Sequence, residues 1–175
     1  MYVALPLATV GLMNAPLRTP VRYDVQGLVQ AIIHNHSSDS FSPALTPTQW
    51  ELLGTYMQPF ALMRGQVLIE QNAQDRTVYL IESGGLSVHY EDDKGRVRLA
   101  IVGPGSAVGE GAFFTRLPRN ATVQAASPSK IWCLTPIRFT ELSNRQPNMA
   151  LEIAMALGAL VSRRLANKPK RIAVT

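Results

Sequence analysis

Cysteine is nearly absent from these 175 residues: Cys133 stands alone. An intrachain disulfide framework is therefore excluded, which suits a reducing compartment and leads us to expect a cytoplasmic protein. No histidine lies near Cys133 in the sequence, and the residue sits inside the apolar run Ile131-Trp132-Cys133-Leu134. A structural thiol is expected there rather than a nucleophile. Histidines number three, and His34 and His36 have no cysteine or third histidine beside them, so neither a metal nor another cofactor is expected. Apolar residues make up 46% of the chain, yet no uninterrupted apolar run reaches about 18 residues, so no membrane span is expected. The apolar N-terminus lacks the positive region of a signal peptide, and Pro6, Gly11 and Pro16 interrupt it. Acidic residues are missing after Glu152. The net charge of +5 is accordingly a C-terminal property, carried by Arg163, Arg164, Lys168, Lys170 and Arg171. Such a terminus could meet an anionic partner, but a solvated helix end whose cations complement the helix dipole explains it equally well.

What is present has the size and apolar content of one globular domain with extensions. Residues 1–22 form an irregular apolar leader with three prolines before position 21. Residues 23–43 hold an amphipathic helix and a loop. Asp24 can cap the helix, Val25, Leu28, Val29, Ile32 and Ile33 supply its apolar face, and a Ser/Asp/Asn-rich loop follows. A second helix is expected after Thr46 and Pro47, with Trp50, Leu53, Tyr56 and Met57 on one face and Pro59 at its end. From Phe60 to Leu134 the period becomes that of short strands separated by turn signals. Among these, Asp92-Asp93-Lys94-Gly95 suits a hairpin. The pattern predicts a mainly β fold with flanking helices, two sheets packed as a jelly-roll barrel. After Pro136 the period is helical again, with a break near Pro147. In the final helix Ala150, Ala154, Gly158 and Ser162 recur every four residues, so a homodimer seam through the 149–165 helix is expected, unless the leader or the Asp24 helix covers it.

The stretch Gly109–Ala125, GEGAFFTRLPRNATVQA, carries the chemistry. Gly109 allows a close backbone approach, and a short helix start at 111–114 offers free N–H groups and a positive dipole end. Arg119 supplies a planar fork able to pair with two phosphate oxygens. Glu110 would repel a phosphate but accepts strongly from a sugar hydroxyl. A ligand with a phosphate and a free hydroxyl close together fits this set. A salt bridge between Glu110 and Arg119 that merely braces a surface loop is the other reading.

This stretch resembles the phosphate-binding cassette of the cyclic nucleotide-binding domain family, which includes bacterial catabolite activator proteins and regulatory subunits of cyclic-AMP-dependent protein kinase. The matching pattern is Gly-Glu-x-Ala, a short spacer, then Pro-Arg-x-Ala-Thr-Val-x-Ala. The resemblance runs from about Thr46 to Leu165 and includes Gly65, Tyr79, Gly84, Gly105, Phe139 and Leu142. It implies a cyclic nucleotide-binding domain over residues 44–166, including the C-terminal helix, and a basic tail at 167–175. It implies that Gly109, Glu110, Ala112, Arg119 and Asn120 bind the ligand. Glu110 would take the ribose 2′-hydroxyl, Arg119 the exocyclic phosphate oxygens, and the Ala112 and Asn120 amides would support that phosphate. Val88, Leu99 and Val102 would pack on the base.

Three departures bear on the ligand. The 71–76 turn lacks the family's glycines, with Asn72 able to replace one because asparagine tolerates positive φ. Asn120 stands where a small or hydroxyl residue helps to separate guanine from adenine. Lys168-Pro169 falls about where the activators carry base-capping hydroxyls, and no helix-turn-helix follows. The expectation is a non-enzymatic receptor for cyclic AMP more than cyclic GMP, signalling by helix repositioning to an effector protein, without sequence-specific DNA binding. A cyclic dinucleotide (cyclic di-GMP) receptor and a ligand-free interaction module of the same fold are the alternatives.

Overall fold

A computed structural model describes residues 21–95 and 97–167. Most of the leader, together with Lys168, Pro169, Lys170 and Arg171, lies outside the described residues. The first helix, α1 (Gln26–His34), begins where Asp24 Oδ1 accepts the Gln26 N–H at 2.9 Å and buries Leu28 and Ile32. Helix α2 (Pro47–Gly54) starts with a full capping box: Thr46 accepts from the Gln49 amide and the Gln49 side chain accepts from the Thr46 amide. It is shorter than the apolar spacing suggests. Tyr56 and Met57 are buried beyond its end, and Pro59 lies inside the next strand.

That strand, β1 (Gln58–Leu62), is at a sheet edge, where a missing N–H costs no ladder bond. The remaining strands are β2 (Val67–Ile69), β3 (Val78–Ser83), β4 (Leu86–Glu91), β5 (Val97–Val102), β6 (Ala107–Val108), β7 (Thr122–Ala125) and β8 (Ser129–Leu134). They form two four-stranded sheets, ordered β1-β8-β3-β6 and β2-β7-β4-β5, in which every pairing is antiparallel. A short helix, α3 (Glu110–Thr115), interrupts the strands between β6 and β7, and α4 (Pro136–Arg145) and α5 (Pro147–Ala166) close the chain. Between β4 and β5 the Gly95 amide returns to Asp92 O at 2.8 Å with Gly95 at φ 70°, as expected of the hairpin.

The period-2 alternation of β3 and β8 assigns their side chains to two cores. Val78, Leu80, Trp132 and Leu134 face the helices, where they meet Leu28, Leu53, Leu142, Met149, Ile153 and Leu157. Ile81 and Ile131 face the second sheet, where they join Leu86, Val102, Val123 and Ala125. The first sheet is thus covered on both faces. The second is not: Val97, Leu99 and Ile101 on β5 are all more than half exposed.

Helix α5 is less enclosed than its composition suggests. Ala150 is buried in the core, so it cannot belong to a stripe offered to a partner. The exposed face runs instead through Leu151, Met155, Gly158 and Ser162. No helix among the described residues is long and apolar enough to cross a membrane. Cys133 is half-buried on β8, and burial pushes its thiol pKa up, away from thiolate character.

Candidate functional site

Strand β6 delivers the chain into Gly109, which adopts the left-handed conformation at φ 86° and starts α3. The glycine has a second reason besides its dihedral. A Cβ at this position would stand 2.6 Å from Arg119 Nη1 and 2.7 Å from Thr77 O. Arg119 is 3% exposed. Its backbone is held on both sides, with its N–H donating to Ala73 O at 2.8 Å and its carbonyl accepting from the Asn72 N–H at 2.8 Å. Asn72 adopts φ 70°, so it takes the positive-φ role expected of it.

The guanidinium lies within 6.0 Å of the Tyr79 ring centroid and is almost fully engaged. Nε donates to Asp75 Oδ2 at 3.0 Å, and Nη2 donates to Asp75 Oδ1 and to Thr77 O, the latter at 2.7 Å. Nη1 donates to Gly109 O at 2.9 Å. Of the five N–H groups of an arginine, this leaves one on Nη1. The fork read from sequence as a grip on two phosphate oxygens is therefore docked on Asp75, a residue the sequence did not single out. Burial pushes the Asp75 carboxyl up, but the Arg119 guanidinium and the Thr77 N–H outweigh it and hold the carboxyl below the ordinary carboxylate range.

Glu110 opens α3 and takes no bond from Arg119. Its Oε1 accepts from Arg164 Nη1 at 2.6 Å, across 54 residues of chain. Loop-bracing by a direct Glu110–Arg119 bridge does not occur. Arg164, expected at a solvated basic terminus, is turned inward from α5 with 15% of its side chain exposed. Burial disfavours its charge, but Asp39 and Glu110 more than compensate and raise its pKa further.

These elements enclose a cavity of about 190 Å³. Its lining combines residues 109–112, Arg119, Asn120, Ala121 and Arg164 with the apolar side chains of Ile69, Val88, Val108 and Val123. Gly109, Glu110, Ala112, Arg119 and Asn120 therefore converge on one space, as the cassette pattern implies. The base-packing trio divides. Val88 is on the wall. Leu99 is 57% exposed on the outer face of the sheet, because Val88 pairs with Ala100 and the residue beside it must point the other way. Val102 pairs with Leu86 and is buried in the core between the sheets, away from the cavity lining. Within the described residues no cluster of three or more His, Cys, Asp or Glu could hold a metal ion.

The chain matches the cyclic nucleotide-binding domain family over residues 59–146, a span that includes the cassette. It is 37% identical over 92 residues to the acetyltransferase Pat of Mycolicibacterium smegmatis, covering 53% of this chain and 28% of that protein. The chain spans between 11% and 28% of the first curated relatives it matches. Among solved structures, a cyclic nucleotide-binding domain from Methylobacillus flagellatus shares the fold at a TM-score of 0.74 and 20% identity, over 84% of this chain and 81% of that one. The regulatory domain of Toxoplasma gondii PKA, solved with cAMP, aligns at a TM-score of 0.55 and 27% identity, over 66% of this chain and 43% of that one. The protein is thus a member of the cyclic nucleotide-binding domain family.

Proposed function

We propose that this chain is a cyclic nucleotide receptor module that prefers cyclic AMP to cyclic GMP. The single observation that carries the reading is the cavity that a buried arginine and a carboxylate line together with valines and an isoleucine. Glu110 accepts the ribose 2′-hydroxyl through Oε2, the oxygen that Arg164 leaves unused. The remaining Nη1 N–H and the charge of Arg119 take the phosphate, with the Ala112 and Asn120 amides beside it, and Val88 packs on the base. The Toxoplasma domain solved with cAMP supports this ligand class.

In this reading the module binds the diester and performs no chemistry on it. Its output is a cytoplasmic effector protein, reached by repositioning α5, and the exposed Leu151–Met155–Gly158 face of that helix serves a second copy of the chain. A ligand that binds one helix position about 100-fold better than the other shifts the balance by roughly 2.7 kcal/mol. Sequence-specific DNA binding is not part of this reading.

Isothermal calorimetry tests it directly. Cyclic AMP should bind, with cyclic GMP weaker and cyclic di-GMP weaker still. Arg119→Lys and Glu110→Gln should each lower the affinity about tenfold or more, by loss of a charge-assisted hydrogen bond. Binding of no cyclic nucleotide by a chain that melts cooperatively would refute it.

A further inference from the structure

Arg164 is shared between two carboxylates, and the sharing is unequal. Nε donates to Asp39 Oδ1 at 2.6 Å and Nη2 to Asp39 Oδ2 at 3.0 Å, a two-pronged contact. Nη2 also reaches Ser106 Oγ at 3.1 Å and Ala107 O at 2.8 Å. Only Nη1 goes to Glu110, and only to Oε1. Asp39 belongs to the loop between α1 and α2, 125 residues from Arg164. Ser106 Oγ donates to its Oδ2 at 3.1 Å and steadies it from a third element. The neighbouring Arg163 ties the same helix end to the same loop, through Ser38 O at 2.9 Å and Ser40 O at 2.5 Å.

Resting on the ligand reading above, we propose that Asp39 is a positioning residue for the sugar end of the cavity: it holds the Arg164 fork so that a single N–H reaches Glu110 and one carboxylate oxygen stays available to the ligand hydroxyl. A guanidinium and a carboxylate pair most favourably as fork on fork. Here the fork is taken by Asp39. Without the Asp39 charge, Glu110 is the carboxylate already in contact with Arg164. The fork then turns onto both of its oxygens and competes with the hydroxyl. Asp39 does not line the cavity, so its effect on ligand passes through Arg164. The α1–α2 loop, the end of α5 and the sugar contact become one coupled unit.

The test compares cyclic AMP with 2′-deoxy cyclic AMP by calorimetry on the full chain. The unaltered protein should favour the hydroxyl-bearing ligand about tenfold or more, the value of a hydrogen bond to a charged group. Asp39→Asn should bring the ratio close to one while changing affinity for the deoxy ligand less than about twofold. Asp39→Glu should keep most of the preference. In an Arg164→Lys background, where no fork exists to turn, Asp39→Asn should leave the ratio as it finds it. If Asp39→Asn alone lowers the melting temperature into the assay range, the same comparison is made at a lower temperature where the folded state persists. A ratio unaltered by Asp39→Asn, or both ligands lost equally, overturns the positioning role alone. An unaltered protein that does not distinguish the two ligands overturns the Glu110 sugar reading, and the positioning role with it.

Discussion

Gly109→Ala isolates the central contact of the cavity, because the methyl group enters a space with two occupants. The first cost is conformational. Position 109 sits at φ 86°, and an L-residue there costs about 1 to 2 kcal/mol relative to glycine. The second cost is steric. The new Cβ stands 2.6 Å from Arg119 Nη1 and 2.7 Å from Thr77 O, both inside contact distance. Thr77 O is main chain at the entry to β3 and also accepts Arg119 Nη2 at 2.7 Å, so it cannot withdraw without loosening the guanidinium. The side chain has to move instead, and the bond from Nη1 to Gly109 O at 2.9 Å goes first. Losing one charge-assisted bond in a buried site costs about 1.5 to 3 kcal/mol. Together these give a destabilisation of about 3 to 5 kcal/mol, or a fall in melting temperature of roughly 6 to 20 °C for a chain of this size. Urea and thermal unfolding measure it, with calorimetry on the surviving folded fraction reporting affinity. A loss below about 1 kcal/mol, or full ligand affinity at the expected instability, would show that the guanidinium is free to relax and would refute the tight seating argued above.

Gly158→Ala is the contrasting substitution. A Cβ there meets nothing within 4 Å, so the chain should gain about 0.5 to 1 kcal/mol of helix stability by urea unfolding, and a loss would show that the α5 face is already covered. The Asp75 carboxyl, held low mainly by Arg119 and Thr77 against the upward push of burial, contributes stability that is complete above its unfolded value near 4. That stability is lost as pH falls through the lower folded-state value. Melting temperatures between about pH 6 and pH 2.5 should therefore fall less steeply in Asp75→Asn than in the unaltered protein, and parallel slopes would exclude the pair as an acid-sensitive contact. Trp132→Phe removes the donor to Glu82 Oε2 at 2.6 Å from a fully buried ring, leaving Glu82 to Lys130 Nζ at 3.0 Å. A destabilisation of about 2 to 4 kcal/mol is expected in chemical denaturation, and a value near zero would mean that water replaces the indole.

The parts of this fold legible in sequence are those that depend on neighbours along the chain. The cap at Thr46, the hairpin at Gly95, the positive φ of Asn72 and the break at Pro147 are each set within a few residues, and each stands where the pattern puts it. The cassette is legible for the same reason, since its residues come from one continuous stretch. Parity in a strand is more fragile. One residue of register turns a side chain from core to solvent; the resemblance puts Leu99 against the base, whereas the pairing of Val88 with Ala100 turns it outward, and apolar residues on both faces of β5 hide that parity. The partners of the site's charges were illegible. Asp75 meets Arg119 from 44 residues away, and Asp39 meets Arg164 from 125. No local period encodes such pairings. In sequence Arg164 is distinguished only by lying beside Arg163 on a helix whose other charge is Glu152, and it reads as one more cation of the basic terminus.

The two charged groups of the cavity differ in what holds them, and that difference gives the site a direction. Arg119 is fixed by the body of the domain: Asp75 and Thr77 before β3, Gly109 after β6, and the main chain of Asn72 and Ala73. Among the described residues Glu110 is held by Arg164, which rides on the last turns of α5, where it and Arg163 join the helix to the loop at 38–40. A ligand anion therefore meets a cation that is already placed, with little reorganisation to perform. A ligand hydroxyl meets a carboxylate whose existing partner is the end of α5. In the proposed reading, binding energy at the phosphate end meets groups held by the body of the domain, whereas binding at the sugar end adds a second partner to the carboxylate that Arg164 already holds. Because only differential interaction can shift a conformational balance, the coupling to α5 that we propose runs through the 2′-hydroxyl and Glu110 and not through the phosphate.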